Sequence, residues 1–171
     1  MKKLSFILFV LALFLGFAAP ARADVDDGTV LTAKTVAPLM AWVEKQTGVK
    51  VPVLPQVIAS HTQFREILGR MGGRFAGRPR SVYTSGRVIL DNLYWDEDDP
   101  TEMSLLVHEL VHYAQSYMNI AWACPDAREA MAYTLQNKWL EENDHSPFVD
   151  ASWVRRMSSC GGAETSLVSA Q

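Results

Sequence analysis

The sequence is poor in the features that mark several protein classes. Among its 171 residues it has only two cysteines and four histidines, no long basic run and no internal repeat. The lack of a basic run argues against nucleic-acid binding, and the lack of repeats excludes solenoid and propeller folds. The longest apolar run, residues 4–18, is shorter than the roughly 20 residues that a membrane-spanning helix needs. Hydrophobic residues make up 49% of the chain, which predicts one globular domain with a buried core.

The N-terminus has the pattern of a secretory signal peptide. A cationic start precedes the apolar run, and Ala21-Arg22-Ala23 then supplies small residues at the two positions of an A-x-A cleavage site. We expect residues 1–23 to be removed before Asp24, leaving a single exported domain over residues 24–171, located in a periplasm or outside the cell. An uncleaved membrane anchor is the alternative. After cleavage, the chain is expected to bind neither nucleic acid nor membrane.

Export changes the interpretation of the two cysteines. Cys124 and Cys160 are the only pair in the chain, and an oxidising compartment favours a disulfide between them. A bridge over this separation would stabilise the fold by roughly 3–4 kcal/mol on the chain-entropy model. Two unrelated buried thiols are the alternative.

Hydrophobic periodicity and cap residues predict an α+β fold with a small antiparallel or mixed sheet. The proline-containing run at 51–58 is expected to be an edge or broken strand, because proline cannot donate to a ladder. The glycine- and arginine-rich stretch 69–80 is expected to be a solvated loop, with an anion or substrate grip as the alternative. Residues 24–30 are expected to be frayed. The predicted elements are then a helix over 31–47, the strand at 51–58, a helix from Ser60 to about residue 68, and a hairpin that turns at Ser85-Gly86. Three further helices are predicted over 100–118, 125–142 and 151–157.

The third predicted helix carries the motif His108-Glu109-Leu110-Val111-His112. Histidines four residues apart on a helix differ by about 40° around the axis and about 6 Å along it, so both rings can reach one ion. Glu109 projects about 100° from His108, beside the ion rather than on it. A base for a metal-bound water belongs in that place. The motif therefore predicts a catalytic metal site.

The rest of this helix supports the prediction. Its apolar residues form one wide arc, and the remaining face is narrow and contains no lysine or arginine, which favours a largely buried helix over a solvated histidine face. The polar face consists of Ser104, His108, Glu109, His112, Gln115 and Ser116.

A catalytic zinc usually has three protein ligands and one open position. In the following helix, Glu129 falls on the apolar side, between Ala132 and Leu140 on a helical wheel. A carboxylate on an apolar face must be paired or must bind a metal. An ion pair between Glu129 and an arginine is the alternative to metal binding. His145, in a polar loop, is the rival third ligand.

The His-Glu-x-x-His motif, with Glu129 and the following Glu-x-x-Ala-Tyr segment that ends at Tyr133, resembles the gluzincin branch of the zincin metallopeptidases. The likeness is to a minimal, single-domain form of the sort found in exported bacterial proteins, and it covers about residues 53–142. It implies a zincin-like fold, a Zn²⁺ ion held by His108, His112 and Glu129, and Glu109 as the general base. In that family, an edge strand before the motif lines the substrate cleft, and residues 87–91 are in the matching place.

One departure from the family concerns the stabilisation of the transition state. We do not expect the chain to include the C-terminal domain that often supplies an oxyanion donor in that family, so Tyr133 and His145 are the candidates for this role. We expect an exported zinc-dependent hydrolase that acts on a peptide or protein substrate. A zinc-stabilised binding or inhibitor domain without catalysis is one alternative, and an amidase acting on cell-wall peptides is another.

Overall fold

A computed structural model describes residues 28–72 and 78–161 of the chain, as an α+β fold with helices on both faces of a small mixed sheet. The predicted signal peptide and its cleavage site before Asp24 lie outside the described residues. Within the described ranges, no helix is both long and apolar enough to cross a membrane. The elements are β1 (Thr29–Val30), α1 (Ala33–Thr47), β2 (Gln56–Ala59), α2 (His61–Arg70), β3 (Ser81–Thr84), β4 (Arg87–Leu90), α3 (Pro100–Gln115), a 3-10 helix (Pro125–Arg128), α4 (Glu129–Glu142) and α5 (Ala151–Met157).

The four strands lie in the order β1-β2-β4-β3. β2 and β4 are parallel, whereas β1 pairs antiparallel with β2, and β3 pairs antiparallel with β4. The turn between β3 and β4 has Ser85 at φ 47° and Gly86 at φ 80°. Two consecutive residues with positive φ are what a two-residue hairpin needs to match the twist of its strands. The predicted mixed sheet and hairpin are therefore confirmed.

Three strand predictions were wrong. β2 is an interior strand rather than an edge or broken one, because Pro52 and Pro55 precede the strand and leave its ladder intact. The strand at 87–91, expected at the edge, is also interior, since β3 covers its outer side. β1 forms where a frayed segment was expected, because Thr29 and Val30 pair with the far edge of β2.

The sheet separates two hydrophobic clusters, as the two-residue side-chain period of a strand requires. The smaller cluster packs α2 against one face through Phe64 and Ile67. The larger cluster packs α1 and α3 against the other face and reaches Ala132 of α4. Helix α3 is thus enclosed by the sheet, α1 and α4. Its fully buried apolar residues are Leu106, Val107, Leu110, Val111 and Ala114.

Local signals fix both ends of α3. Asp99 caps the N-terminus by accepting a hydrogen bond from the Thr101 N–H, and Pro100 occupies the first turn, as predicted. The helix ends at Gln115, one turn earlier than the predicted end near residue 118. Glu102 in its first turn is buried and forms an ion pair with Arg80, which comes from the stretch expected to be a solvated loop. This arginine therefore has a structural partner.

Candidate metal centre

Helices α3 and α4 bring His108, His112 and Glu129 together. The two Nε2 atoms lie 3.1 Å apart, and each lies 3.2 Å from one oxygen of the Glu129 carboxylate. The ligand atoms of the three residues all fall within 4.8 Å of one another, so the group could hold a metal ion. The helical spacing of the motif supplies the two histidines, and the packing of α4 against α3 supplies the carboxylate.

The structure does not show either alternative to Glu129 as the third residue of this group. Glu129 forms its ion pairs with the two histidines rather than with an arginine. His145 is exposed in the loop after α4, where its backbone N–H donates to the carbonyl of Leu140. Within residues 28–72 and 78–161, the only group of three or more His, Cys, Asp or Glu side chains that could hold a metal ion is the one that includes Glu129.

The carboxylate and one of the histidines influence each other strongly. Burial alone would raise the pKa of Glu129, but hydrogen bonds with His108 and His112 hold it well below its usual range. Burial likewise acts to lower the pKa of His112, but the hydrogen bond and the negative charge of Glu129 raise it above its usual value. The site therefore favours a cation among these three side chains.

Each histidine is supported from behind by a glutamine. Nδ1 of His112 lies 2.9 Å from Oε1 of Gln115, and Nδ1 of His108 lies 3.1 Å from Oε1 of Gln136. Metal-binding histidines usually make such a second hydrogen bond, which orients the ring. Helix α3 is largely buried, as predicted, and these contacts explain why polar side chains are tolerated there.

Glu109 lies on the same buried face of α3. Its side chain is only 6% exposed, and the hydroxyl of Ser81 donates a 2.7 Å hydrogen bond to Oε1. Ser81 is the first residue of β3, so the motif glutamate is attached to the edge strand of the sheet. Glu109 is close enough to His112 for its charge to help raise the pKa of that imidazole.

Tyr133 packs against the first motif histidine. The ring centroids of Tyr133 and His108 are 4.5 Å apart in an edge-to-face arrangement. Burial raises the pKa of the Tyr133 phenol; the indole of Trp153 acts in the opposite direction, and the carboxylates of Glu129 and Glu109 add to the increase. The hydroxyl therefore stays protonated at neutral pH and can act as a donor.

The predicted disulfide is present. Cys124 and Cys160 are bonded, with their Cα atoms 5.7 Å apart. Cys124 directly precedes the 3-10 helix that leads into Glu129, and Cys160 follows α5. The bridge therefore ties the segment before Glu129 to α5, which packs on α4.

The sequence analysis missed Ser81 and Gln136. The hydroxyl of Ser81 meets Glu109 only because of tertiary packing, and no local pattern marks it. Gln136 did leave a signal, since it lies seven residues after Glu129 and shares a helical face with Ala132 and Leu140. That face is buried, and a polar side chain on it needs a partner.

Comparison with known proteins gives one family relationship. No curated protein and no solved structure matches the chain. A family model described as a domain of unknown function (DUF6647) matches residues 29–165. This range includes every helix and strand named above, together with both cysteines. Because the match covers most of its length, the chain belongs to the DUF6647 family.

Proposed function

We propose that this chain is a zinc-dependent hydrolase that cleaves peptide bonds, with His108, His112 and Glu129 as the metal ligands. The convergence of two histidine rings and one carboxylate carries the proposal. Two ligands about 2.05 Å from a tetrahedral zinc would lie about 3.3 Å apart. The two Nε2 atoms are 3.1 Å apart, each lies 3.2 Å from a different oxygen of Glu129, and one ligand atom from each residue can be chosen within 4.8 Å of the others. Two histidines and one carboxylate oxygen would supply three ligands to a zinc ion and leave its fourth position for water.

The hydrogen bonds around the site also favour a cation at its centre. With the Nδ1 atoms facing amide oxygens, each neutral histidine presents a lone pair on Nε2. These lone pairs face the Glu129 carboxylate, which also only accepts. Acceptors facing one another repel unless a proton or a metal ion lies between them. Nitrogen and oxygen ligands in this number suit Zn²⁺.

Glu109 is the proposed general base. A bound zinc would polarise the substrate carbonyl and make a bound water more acidic. Ser81 holds Oε1 of Glu109, so Oε2 is the oxygen that takes a proton from the attacking water. The water oxygen bonds to the carbonyl carbon, the C–N bond breaks, and the same carboxyl delivers its proton to the leaving nitrogen.

Two further features suit a peptide substrate. Tyr133, whose ring packs against His108 and whose hydroxyl is protonated, is the proposed donor to the oxyanion. β3 is an edge strand that is attached to Glu109 through Ser81. An edge strand can pair with an extended peptide through its backbone groups. Together with the motif, these features support the gluzincin-like, zincin-type assignment.

Export of the protein is part of the proposal. The disulfide between Cys124 and Cys160 fits an oxidising compartment, because reducing conditions in the cytosol keep most thiols unpaired. The signal-peptide pattern at residues 1–23 points the same way. We therefore propose that the protein acts in a periplasm or outside the cell.

The test of the proposed function is the substitution Glu109→Gln. The amide cannot accept the proton of the attacking water, so we expect kcat to fall by about 10²–10⁴-fold, while zinc stays bound at about one ion per chain. Hydrolysis of a fluorogenic peptide library and elemental analysis give the two readouts. Glu141→Gln, at an exposed position of α4, is the matched control and should leave both unchanged.

Undiminished turnover in Glu109→Gln would contradict the role of the base. Wild-type protein that binds zinc but cleaves neither peptides nor cell-wall peptides would favour a zinc-stabilised binding domain instead. Cleavage of cell-wall peptides alone would assign the amidase activity.

Tyr133→Phe tests the oxyanion donor. Removing one such donor typically costs about 10²–10³-fold in kcat. We expect a loss of this order, with KM and zinc content unchanged, because the phenylalanine ring keeps the packing against His108. A kcat equal to that of the wild type would leave Tyr133 with a packing role only.

A further inference from the structure

Two glutamines contact the proposed histidine ligands from behind, and the mechanism above does not use them. Gln136 is fully buried in α4, and Gln115, the last residue of α3, is only 3% exposed. A buried amide needs partners for both its oxygen and its nitrogen. Where those partners are fixed, they determine which way the amide points, and the amide in turn determines which histidine nitrogen carries the proton.

The orientation of Gln115 is fixed by a backbone carbonyl. Its Nε2 donates to the carbonyl oxygen of Arg128 at 2.9 Å. A carbonyl can only accept, so the amide oxygen must be the atom that faces His112. Nδ1 of His112 therefore carries a proton, and Nε2 of the neutral ring is bare. Because Arg128 directly precedes Glu129, the same amide also ties the end of α3 to the start of α4.

The orientation of Gln136 is fixed by a chain of two hydrogen bonds. The single hydroxyl proton of Ser104 goes to the carbonyl oxygen of Thr101, at 2.7 Å. Oγ of Ser104 must then accept from Nε2 of Gln136, which lies 3.0 Å away. The amide oxygen is left for Nδ1 of His108. Nε2 of the neutral His108 ring is therefore bare as well.

We propose that Gln115 and Gln136 are positioning residues that hold both histidines in the tautomer with a bare Nε2 and lock α3 to α4 in the geometry that binds the metal. The inference rests on the proposed function in one respect, since it takes His108, His112 and Glu129 to be the ligands. Gln115 reaches from α3 to the residue before the carboxylate ligand, and Gln136 reaches back from α4 to α3. Each helix therefore contributes one glutamine that is hydrogen-bonded to the other helix or to the residue that precedes it.

The chemistry of an amide suits this task. An amide fixes a ring through hydrogen bonds without adding a negative charge, whereas a carboxylate in the same place would make the histidine a stronger donor. The negative charges near the metal position are then those of Glu129 and Glu109. A bound metal keeps more of its positive charge for polarising a substrate under these conditions.

The first test reads the tautomers directly and needs no substitution. Nitrogen-15 NMR of the purified, zinc-loaded protein distinguishes protonated from metal-bound imidazole nitrogens. We expect a protonated Nδ1 and a metal-bound Nε2 in His108 and in His112. Zinc bound through Nδ1, or a proton on Nε2, in either ring would overturn the inference for that ring.

The second test measures zinc affinity by competition with a chromophoric chelator. Gln136→Met and Gln115→Met keep similar volume but remove the amide, and we expect each to weaken zinc binding by about 10–100-fold. Gln136→Glu restores an acceptor for Nδ1 of His108 and should bind zinc at least as tightly as the wild type. Val43→Ala creates a cavity at a buried position of α1, away from the site, and controls for a general loss of stability.

The outcomes separate this inference from the proposed function. Zinc binding in the wild type with no difference between the methionine variants and Val43→Ala would overturn the role of the glutamines and leave the metal site intact. A wild type that binds no zinc would overturn the proposed function itself. If Gln136→Met does not fold, Ser104→Ala removes only the anchor of the amide, and we expect it to weaken binding by up to about tenfold. An unchanged affinity in Ser104→Ala would then count against the inference.

Discussion

A histidine meets a carboxylate in two regions of this molecule, and the two contacts are built differently. At the end of the sheet, Nδ1 of His61 lies 2.8 Å from Asp91, and the His61 side chain is 38% exposed. Between α3 and α4, two histidines whose side chains are only 10% and 13% exposed contact Glu129 at 3.2 Å. The shorter contact is thus the more exposed one.

The two contacts differ in how many histidine nitrogens meet the carboxylate and in which residues hold the histidine rings in place. Asp91 uses the oxygen that meets His61 to accept the N–H of Leu93 as well, so this contact closes the turn after β4. At the other site, buried glutamines occupy Nδ1 of both histidines, and both Nε2 atoms face the same carboxylate. Under the proposed function, converging ligand atoms with buried support indicate a metal site better than a short histidine–carboxylate distance does.

The largest expected effect comes from removing one histidine at each place. His112→Ala deletes a proposed ligand, so we expect the zinc content to fall from about one ion per chain to none detectable. His61→Ala should keep the full zinc content, because its partner is a turn residue. Elemental analysis of the two purified variants makes the comparison. Equal zinc loss in both variants would contradict the prediction that only the site between α3 and α4 binds zinc.

The next effect concerns the disulfide, which tethers only one of the two regions. Replacing both Cys124 and Cys160 by serine should lower the free energy of unfolding by about 3–4 kcal/mol. Zinc binding should also weaken, because the segment leading to Glu129 loses its tether. Urea unfolding and chelator competition measure the two effects, and reduction of the wild type should reproduce them.

The contact between His61 and Asp91 provides the internal control for this prediction. Its residues lie in α2 and in the turn after β4, away from the bridge, so the NMR signals of the His61 ring should not move in the serine variant. Zinc affinity equal to that of the wild type would show that α4 holds its place without the disulfide.

The smallest effect is the dependence of zinc binding on pH. Because the pKa of His112 is raised, the metal-free protein holds a proton there at pH values at which an ordinary histidine is already neutral. Zinc must displace this proton, so its affinity should fall as the pH falls, by about tenfold per pH unit for each proton displaced. Titrations between pH 8 and pH 6 would measure this slope.

The metal-free protein should show the opposite trend. A histidine with a raised folded-state pKa contributes stability that is fully present below its unfolded value and is lost as the pH rises through the folded value. The contribution of His112 to the metal-free fold should therefore grow on acidification from pH 8 to pH 6. A zinc affinity that does not change with pH would show that His112 is not a ligand.

Several features of the fold were predictable because their signals are local. Asp99, Ser60 and Asp150 cap helices as expected, since each side chain accepts from a backbone N–H two or three residues ahead. The hairpin followed from Ser85-Gly86. The strand order was not predictable, because prolines near a strand do not reveal whether they lie before it or within it, and β2 and β4 become neighbours only through a crossover.

The amino-acid sequence by itself determined the spacing of the two histidines and the position of Glu109 beside them, because a helix converts residue number into direction. It also marked Glu129 as a carboxylate on an apolar face. Only the tertiary structure decided that α4 delivers Glu129 within 3.2 Å of both rings and that Ser81 contacts Glu109. The orientation of the supporting glutamines, too, appears only there. The contacts between elements join residues 13 to 32 positions apart, and such distant partners meet only when whole elements pack.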